Sequence, residues 1–164
     1  MENPFLGKST LWVVHIGQLE GLVLRARDNG FVCIGWPAMG DLSIYDTRDK
    51  MRTAMEHAYP DMKRATLSAS YGQTYRFAHE MAKGDAIVLT VWPTREIVIG
   101  MITSSYIFAD DDDELVAFDR YNVRKVDWLK TVPRTMFSQA ALHSFGSIAT
   151  VSTSNDHLDE VVAV

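Results

Sequence analysis

Apolar residues fall along this chain in short blocks separated by polar turns, and their spacing switches between the strand and helix periods. Leu11–Ile16 (LWVVHI) is a β-branched apolar run bounded by Ser9-Thr10 and Gly17, which predicts a strand. Leu19, Leu22, Val23 and Ala26 then recur at helical spacing up to Asn29-Gly30, so an amphipathic helix follows. Phe31–Trp36 (FVCIGW) predicts a second strand, and the strand–helix–strand order suggests that the two lie side by side in one sheet. The loop Pro37–Ser43 comes next, with Pro ending the pairing and Gly40-Asp41 as a turn signal. Asp46 or Thr47 caps a helix with the stripe Met51, Ala54, Met55 and Ala58, which ends at Tyr59-Pro60; a short helix from Asp61 to Thr66 follows.

The stretch Ser68–Trp92 organises the rest. Ser70-Tyr71-Gly72-Gln73 has the S-x-x-Q form of a capping box, which predicts a helix start there. Tyr75, Ala78, Met81 and Ala82 share a face of that helix, and Lys83-Gly84 stops it. Ala86–Val91 and Glu96–Ile102 are strongly apolar strands joined by Trp92-Pro93-Thr94-Arg95, a hairpin-length loop. A strand folding back along the helix would bring Tyr71, Gln73, Arg76 and Trp92 together.

Beyond Tyr106–Phe108 lie the five acids Asp110–Glu114, which read as a solvated loop. Leu115–Phe118 and Tyr121–Leu129 read as strand material, with an apolar phase slip between Val123 and Val126–Trp128 that predicts a bulge or the end of pairing. Ser138–Phe145 is a short helix and Ser147–Thr153 a last strand. The fold expected is α+β: a curved mixed sheet or small β-barrel of about six strands with peripheral helices. Residues 1–153 make the domain, and 154–164 read as a polar tail with no partner in it, a linker to an effector domain or a cut end.

Composition narrows the function classes. No apolar run is long enough to span a membrane. The N-terminal MENPFLGKST lacks a basic segment followed by an apolar one, so no secretory signal is read there. Cys33 stands alone, which rules out a disulfide framework and suits a cytoplasmic protein. The net charge of −5 is concentrated in Asp110–Glu114 and in Asp156, Asp159 and Glu160; without those eight, 13 acids face 16 Lys and Arg, a body of about +3. A mildly basic body with acidic appendages is compatible with specific nucleic-acid contact.

Trp36 and Trp92 each stand where an apolar strand meets a loop beginning with or near Pro, a position suited to the mouth of a ligand cavity. A ring there either plugs the end of the sheet or stacks on a nucleobase, which contributes roughly 1–3 kcal/mol. Arg76, between Tyr75 and Phe77, is either a snorkelling surface residue or a planar donor fork aimed into a cavity. Gln73 is a capping partner or a reader of a base edge, and Asp41 a turn residue or an acceptor for an exocyclic amine. Trp12 and Trp128, inside strands, read as core.

Catalytic patterns are weak. His57, His79 with Glu80, and His143 show no metal spacing, and no nucleophile elbow, P-loop or dinucleotide fingerprint occurs. Adjacent acids lack the spaced ligands of a calcium loop. No metal and no cofactor are expected.

The order LWVVHIG, helix, FVCIGWPAMGDLS, YGQTYRFAHEMAKGDAIVL, IVIGMITSSY, VRKVDWL resembles the PUA-like superfamily over Leu11 to Thr153. It looks most like the EVE-like domains at the N-terminus of Mrr-type restriction endonucleases. The resemblance implies a pocket for a modified or flipped base. In it Trp36 would be the cage tryptophan, with Tyr71, Gln73 and Arg76 lining the helix side and Trp92 the strand end. Phe118 or Tyr121 would stand in for a further cage aromatic. Pro37 and Met39 in the loop after Trp36 and the nearby acid run depart from the family pattern.

The expectation is therefore a non-catalytic reader of a modified nucleobase in DNA, the sensor of a restriction or anti-phage defence system, with a nuclease effector as partner domain or subunit. The alternative is a PUA-like domain used for homodimerisation or for docking a protein effector, with no base bound. A third reading is an enzyme acting on a nucleotide or base through His57, His79 or Asp41.

Overall fold

Strands whose every residue is buried need cover on both faces, and this chain supplies it. The computed structural model describes residues 4–5 and 9–164. Residues 1–3 and 6–8, part of the N-terminal stretch read for a secretory signal, lie outside the described residues. Among the described residues seven strands form one curled half-barrel sheet: β1 (Leu11–Val14), β2 (Phe31–Ile34), β3 (Ala86–Val91), β4 (Glu96–Ile102), β5 (Ile107–Phe108), β6 (Asn122–Pro133) and β7 (Val151–Thr153). The order is β2-β6-β4-β3-β1-β7, with β5 paired to β6. Six α-helices among the described residues surround it: α1 (Glu20–Asn29), α2 (Arg48–Ala58), α3 (Arg64–Tyr75), α4 (Asp113–Ala117), α5 (Gln139–Phe145) and α6 (Leu158–Ala163). This is the α+β class and curved mixed sheet expected from the sequence, with one strand more than predicted.

Alternation along the strands sends side chains to different cores. Trp12 and Val14 join Met51, Met55 and Phe77 on the α2–α3 side. Leu11 and Val13 join Phe137, Phe145 and Val161 on the α5–α6 side. A third cluster gathers Leu22, Val23 and Ala26 of α1 with Cys33, Leu89 and Leu115. Burial pushes the Cys33 thiol up to about 12, so it is inert filler.

Four elements differ from the sequence expectation. β1 and β2 are not neighbours; β1 pairs in parallel with β3, and β2 lies across the sheet on β6. The capping box at Ser70 is not used, because α3 already starts at Arg64 and Ser70 sits buried in its middle. Leu115–Phe118 is not strand: the Asp112 carboxylate accepts from Leu115 N at 3.0 Å and starts α4, with Asp113 and Glu114 at its positive end. The tail 154–164 is folded onto the domain, with Asn155 Oδ1 accepting from Leu11 N at 2.8 Å and Val161 buried.

The phase slip in β6 has a physical origin. Residues Asn122–Lys125 pair with β2, and from Val126 onward β6 pairs with β4 instead. The register also shifts opposite Ile99 and Gly100, where Trp128 lies so close that a Cβ on Gly100 would stand 2.6 Å from its ring. Only glycine fits there.

α3 runs on into a π-helical turn, Arg76–Glu80, closed by Met81 N donating to Arg76 O at 2.9 Å. Arg124, buried in β6, donates to the carbonyls of Phe77 at 2.9 Å, Ala78 at 3.1 Å and Ser104 at 3.1 Å. It holds the irregular turn against the sheet. Burial lowers its pKa to about 10, partly offset by the Asp85 carboxylate.

Candidate functional site

Trp36 leaves β2 in a left-handed conformation, φ 59° and ψ 55°, which costs a bulky residue roughly 1–3 kcal/mol. Side chains on both sides of it fix the loop. Asn122 Nδ2 donates to Gly35 O at 2.7 Å, and Tyr121 Oη donates to Pro37 O at 2.9 Å. Ala38 N donates to Tyr59 Oη at 3.1 Å, and Tyr45 Oη donates to Met39 O at 3.0 Å. Leu42 N donates to Tyr106 Oη at 3.0 Å, which in turn donates to Asn122 Oδ1 at 2.5 Å. Burial raises the Tyr106 pKa, so this hydroxyl stays protonated. The tyrosines and Asn122 thus hold an unfavourable backbone in one shape.

The loop forms one wall of a cleft of about 300 Å³ lined by His15, Gly17, Gly35, Trp36, Arg120 and Ile148, with Ile16 and Thr150. Its volume lies at the small end of the ~300–1,000 Å³ range of ligand pockets. Arg120 is aimed by its own turn: Asp119 has φ 55°, and Arg120 Nη1 donates to Asp119 O at 3.1 Å and Phe118 O at 3.3 Å. Gly35 leaves room for that guanidinium, since a Cβ there would stand 3.1 Å from Nη1. Ile148 is fully exposed on the cleft. His15 Nδ1 shares a hydrogen bond with Thr90 Oγ1 at 3.2 Å, while Nε2 is buried without one. Burial lowers the His15 pKa, and the Phe145 carbonyl opposes this to a smaller degree.

Thr90 belongs to a second cleft, of about 290 Å³, lined also by Val91, Trp92, Arg95, Glu96, Arg134 and Gly146. Arg95 there has φ 57°. Among the described residues the non-glycine positions with positive φ are Trp36, Arg95 and Asp119. Each lines one of the two clefts or immediately precedes a residue that does.

The eight residues proposed from sequence do not converge. Trp36 lines the first cleft and Trp92 the second. Tyr121 buttresses the Trp36 loop through its hydroxyl, its ring tilted against Phe108 at 5.5 Å, and Phe118 offers its carbonyl to Arg120. Gln73 faces the sheet: its Oε1 accepts from Val151 N at 2.9 Å and its Nε2 donates to Ala69 O at 3.2 Å. Tyr71 packs on the α2–α3 core, and Arg76 Nε donates to Gly72 O at 3.3 Å. Asp41 caps the turn Leu42–Ile44, accepting from Ser43 N at 2.9 Å and Ser43 Oγ at 2.6 Å. The helix-side residues Tyr71, Gln73 and Arg76 therefore do not wall the cleft that holds Trp36.

Residues missed in the sequence are His15, Arg120, Ile148, Arg95 and Arg134. Arg120 stands between two aromatics that were singled out, Phe118 and Tyr121, and follows an acid run that draws attention away from it. His57 and His79 are exposed on separate elements, His79 against Tyr75 at 4.9 Å between ring centres. Among the described residues, no group of three His, Cys, Asp or Glu side chains is placed to hold a metal ion, and no helix is long and apolar enough to cross a membrane. The acid run is partly neutralised, with Arg25 2.9 Å from Asp112 and 3.7 Å from Glu114.

A family described as "Domain of unknown function (DUF8426)" matches residues 12–154. No curated protein matches the chain in sequence. Among solved structures, it is similar to the YTH domain of the Zygosaccharomyces rouxii MRB1 protein, determined in complex with N6-methyladenosine RNA. The identity is 14%, with 94% of this chain and 84% of that chain covered and a TM-score of 0.46.

Proposed function

The chain belongs to the DUF8426 family, and we propose that it is a non-catalytic reader that takes one nucleobase, extruded from its strand and carrying a modification, into the Trp36 cleft. The observation that carries this reading is the held loop. Trp36 is kept in a left-handed backbone by hydrogen bonds on both sides, beside an arginine whose guanidinium is itself positioned by backbone carbonyls. Strain maintained by its surroundings is a mark of functional positions, and a loop fixed before binding spares the ligand the cost of ordering it.

The chemistry of the lining fits a base. Trp36 offers a planar face, Arg120 a donor fork for ring nitrogens, carbonyl oxygens or a neighbouring phosphate, and Ile148 an apolar surface for a methyl group. Extruding a base costs a few kcal/mol, which stacking on one ring and hydrogen bonds from one arginine are of the right size to offset. The volume of the cleft, about 300 Å³, suits a base-sized group. Our reading places the base in DNA and the chain in a restriction or defence system, as the EVE-like resemblance implies, with the effector nuclease on another domain or subunit.

A binding panel of modified and unmodified oligonucleotides, single- and double-stranded, DNA and RNA, at two salt concentrations tests this. The expected result is a preference for one modified base that persists as salt rises, because it comes from the cleft and not from phosphate contacts. Equal binding of modified and unmodified strands at both concentrations would refute the reading. A stable dimer indifferent to every strand would favour the interaction-domain alternative.

A further inference from the structure

The second cleft has its own ligand chemistry. Trp92, 47% exposed, stands at the hairpin end of β3 beside Arg95 and Arg134. Both arginines are exposed, and among the described residues neither is in an ion pair within 4.0 Å. The carboxylate in the lining is Glu96; Arg27 on α1, whose pKa is raised first by its hydrogen bond to Asp28, also feels the Glu96 charge. Arg95 occupies the left-handed region at the hairpin, where a glycine would be the unstrained choice. The Thr90–His15 hydrogen bond joins the two clefts wall to wall.

We infer that this second cleft receives the nucleotide next to the one held at Trp36, its base stacked on Trp92 and its phosphodiester held by Arg95 and Arg134. The inference rests on the base-reader reading of the first cleft and supplies what that cleft lacks. One arginine and one ring recognise a base but give little hold on a strand, whereas two free guanidinium groups and a second ring add phosphate and stacking contacts. An acidic, aromatic peptide offers similar chemistry. Sharing a wall with a base-sized cleft favours a nucleic acid strand.

The test uses an eight-residue single-stranded oligodeoxynucleotide carrying one modified base from the preferred class, and the corresponding free 2′-deoxynucleoside. Binding is followed by the indole N–H signals of Trp36 and Trp92 in nuclear magnetic resonance. The oligonucleotide should shift both signals and the nucleoside only that of Trp36. The variants Trp92→Ala and Arg95→Gly/Arg134→Ala change exposed positions, and their melting temperatures establish that they fold. Each should weaken oligonucleotide binding at least tenfold and leave nucleoside binding unchanged; the arginine pair should also make the dependence of log K on log salt shallower by about 1. If oligonucleotide binding survives in both variants while Trp36 still responds, the second-cleft inference is wrong and the base reading stands. If the oligonucleotide leaves both signals unmoved while an acidic peptide such as hexaglutamate shifts Trp92, the cleft serves a protein partner and the inference fails.

Discussion

Thr90 Oγ1 and His15 Nδ1 lie 3.2 Å apart, and their hydrogen bond ties the end of β3 to the residue that follows β1. Each partner lines a different cleft. Whatever moves this pair moves the boundary between them.

His15 gives the fold a pH dependence of defined sign. Burial places its folded pKa below the unfolded value of about 6.5, so below that pH the unfolded chain binds more protons than the folded one. The stability contributed is whole above the unfolded pKa and is lost as pH falls through it towards the folded pKa. Thermal melts from about pH 7.5 to about pH 5 should show wild type losing more melting temperature than His15→Asn. Parallel losses would mean that the ring does not titrate in this way.

Gln73 should matter to the fold and not to the ligand. Its amide oxygen satisfies Val151 N on β7, a strand at the sheet edge, and its nitrogen is used within α3. Gln73→Leu should cost roughly 1–3 kcal/mol in urea unfolding, because it strands a buried N–H. Its affinity for modified oligonucleotide should stay within twofold of wild type. A selective loss of affinity with unchanged stability would return Gln73 to the reading site.

The sequence made the strands legible because apolar side chains are needed on both faces of a covered sheet, as in Ile87–Leu89 and Ile97–Ile99. It also located the end of one pairing in β6 near Val126, although a change of partner from β2 to β4 looks the same as a bulge in a one-dimensional pattern. The capping-box motif at Ser70 misled because the turn before it, Arg64–Ala69, has little apolar periodicity, and the helix there is held by tertiary contacts. The helix at Asp113 was hidden by its own cap, since a run of acids reads equally as a repelling loop. Trp36 and Trp92 stood out as rings at strand ends. That they occupy different clefts depends on the sheet order, and no spacing along the chain encodes it.

Arg124 should be among the most sensitive positions in the molecule. Its guanidinium is shared by three carbonyls, two of them in or beside the π-helical turn. Arg124→Met takes the donor from the buried Phe77 and Ala78 contacts and from the part-buried Ser104 carbonyl, with an expected loss of roughly 3 kcal/mol or more in denaturant unfolding. Arg124→Lys should recover only part of it, since one ammonium cannot reach all three. Stability within about 0.5 kcal/mol of wild type for the methionine variant would contradict the assigned role.

Arg95 and Asp119 offer a test of strain. Replacing either with glycine relieves a left-handed backbone while loosening the unfolded chain, and the two effects should leave stability within about 1 kcal/mol of wild type. A larger loss, measured by urea unfolding, would show that these side chains hold the fold.

The most direct measurement is the affinity of Trp36→Ala for the preferred modified oligonucleotide, made alongside its melting temperature. Stacking of the size expected predicts a loss of about 1–3 kcal/mol, roughly 5- to 150-fold in Kd, and with it the preference for the modified base. The melting curve should remain cooperative. A folded Trp36→Ala protein that binds and discriminates like wild type would contradict the account.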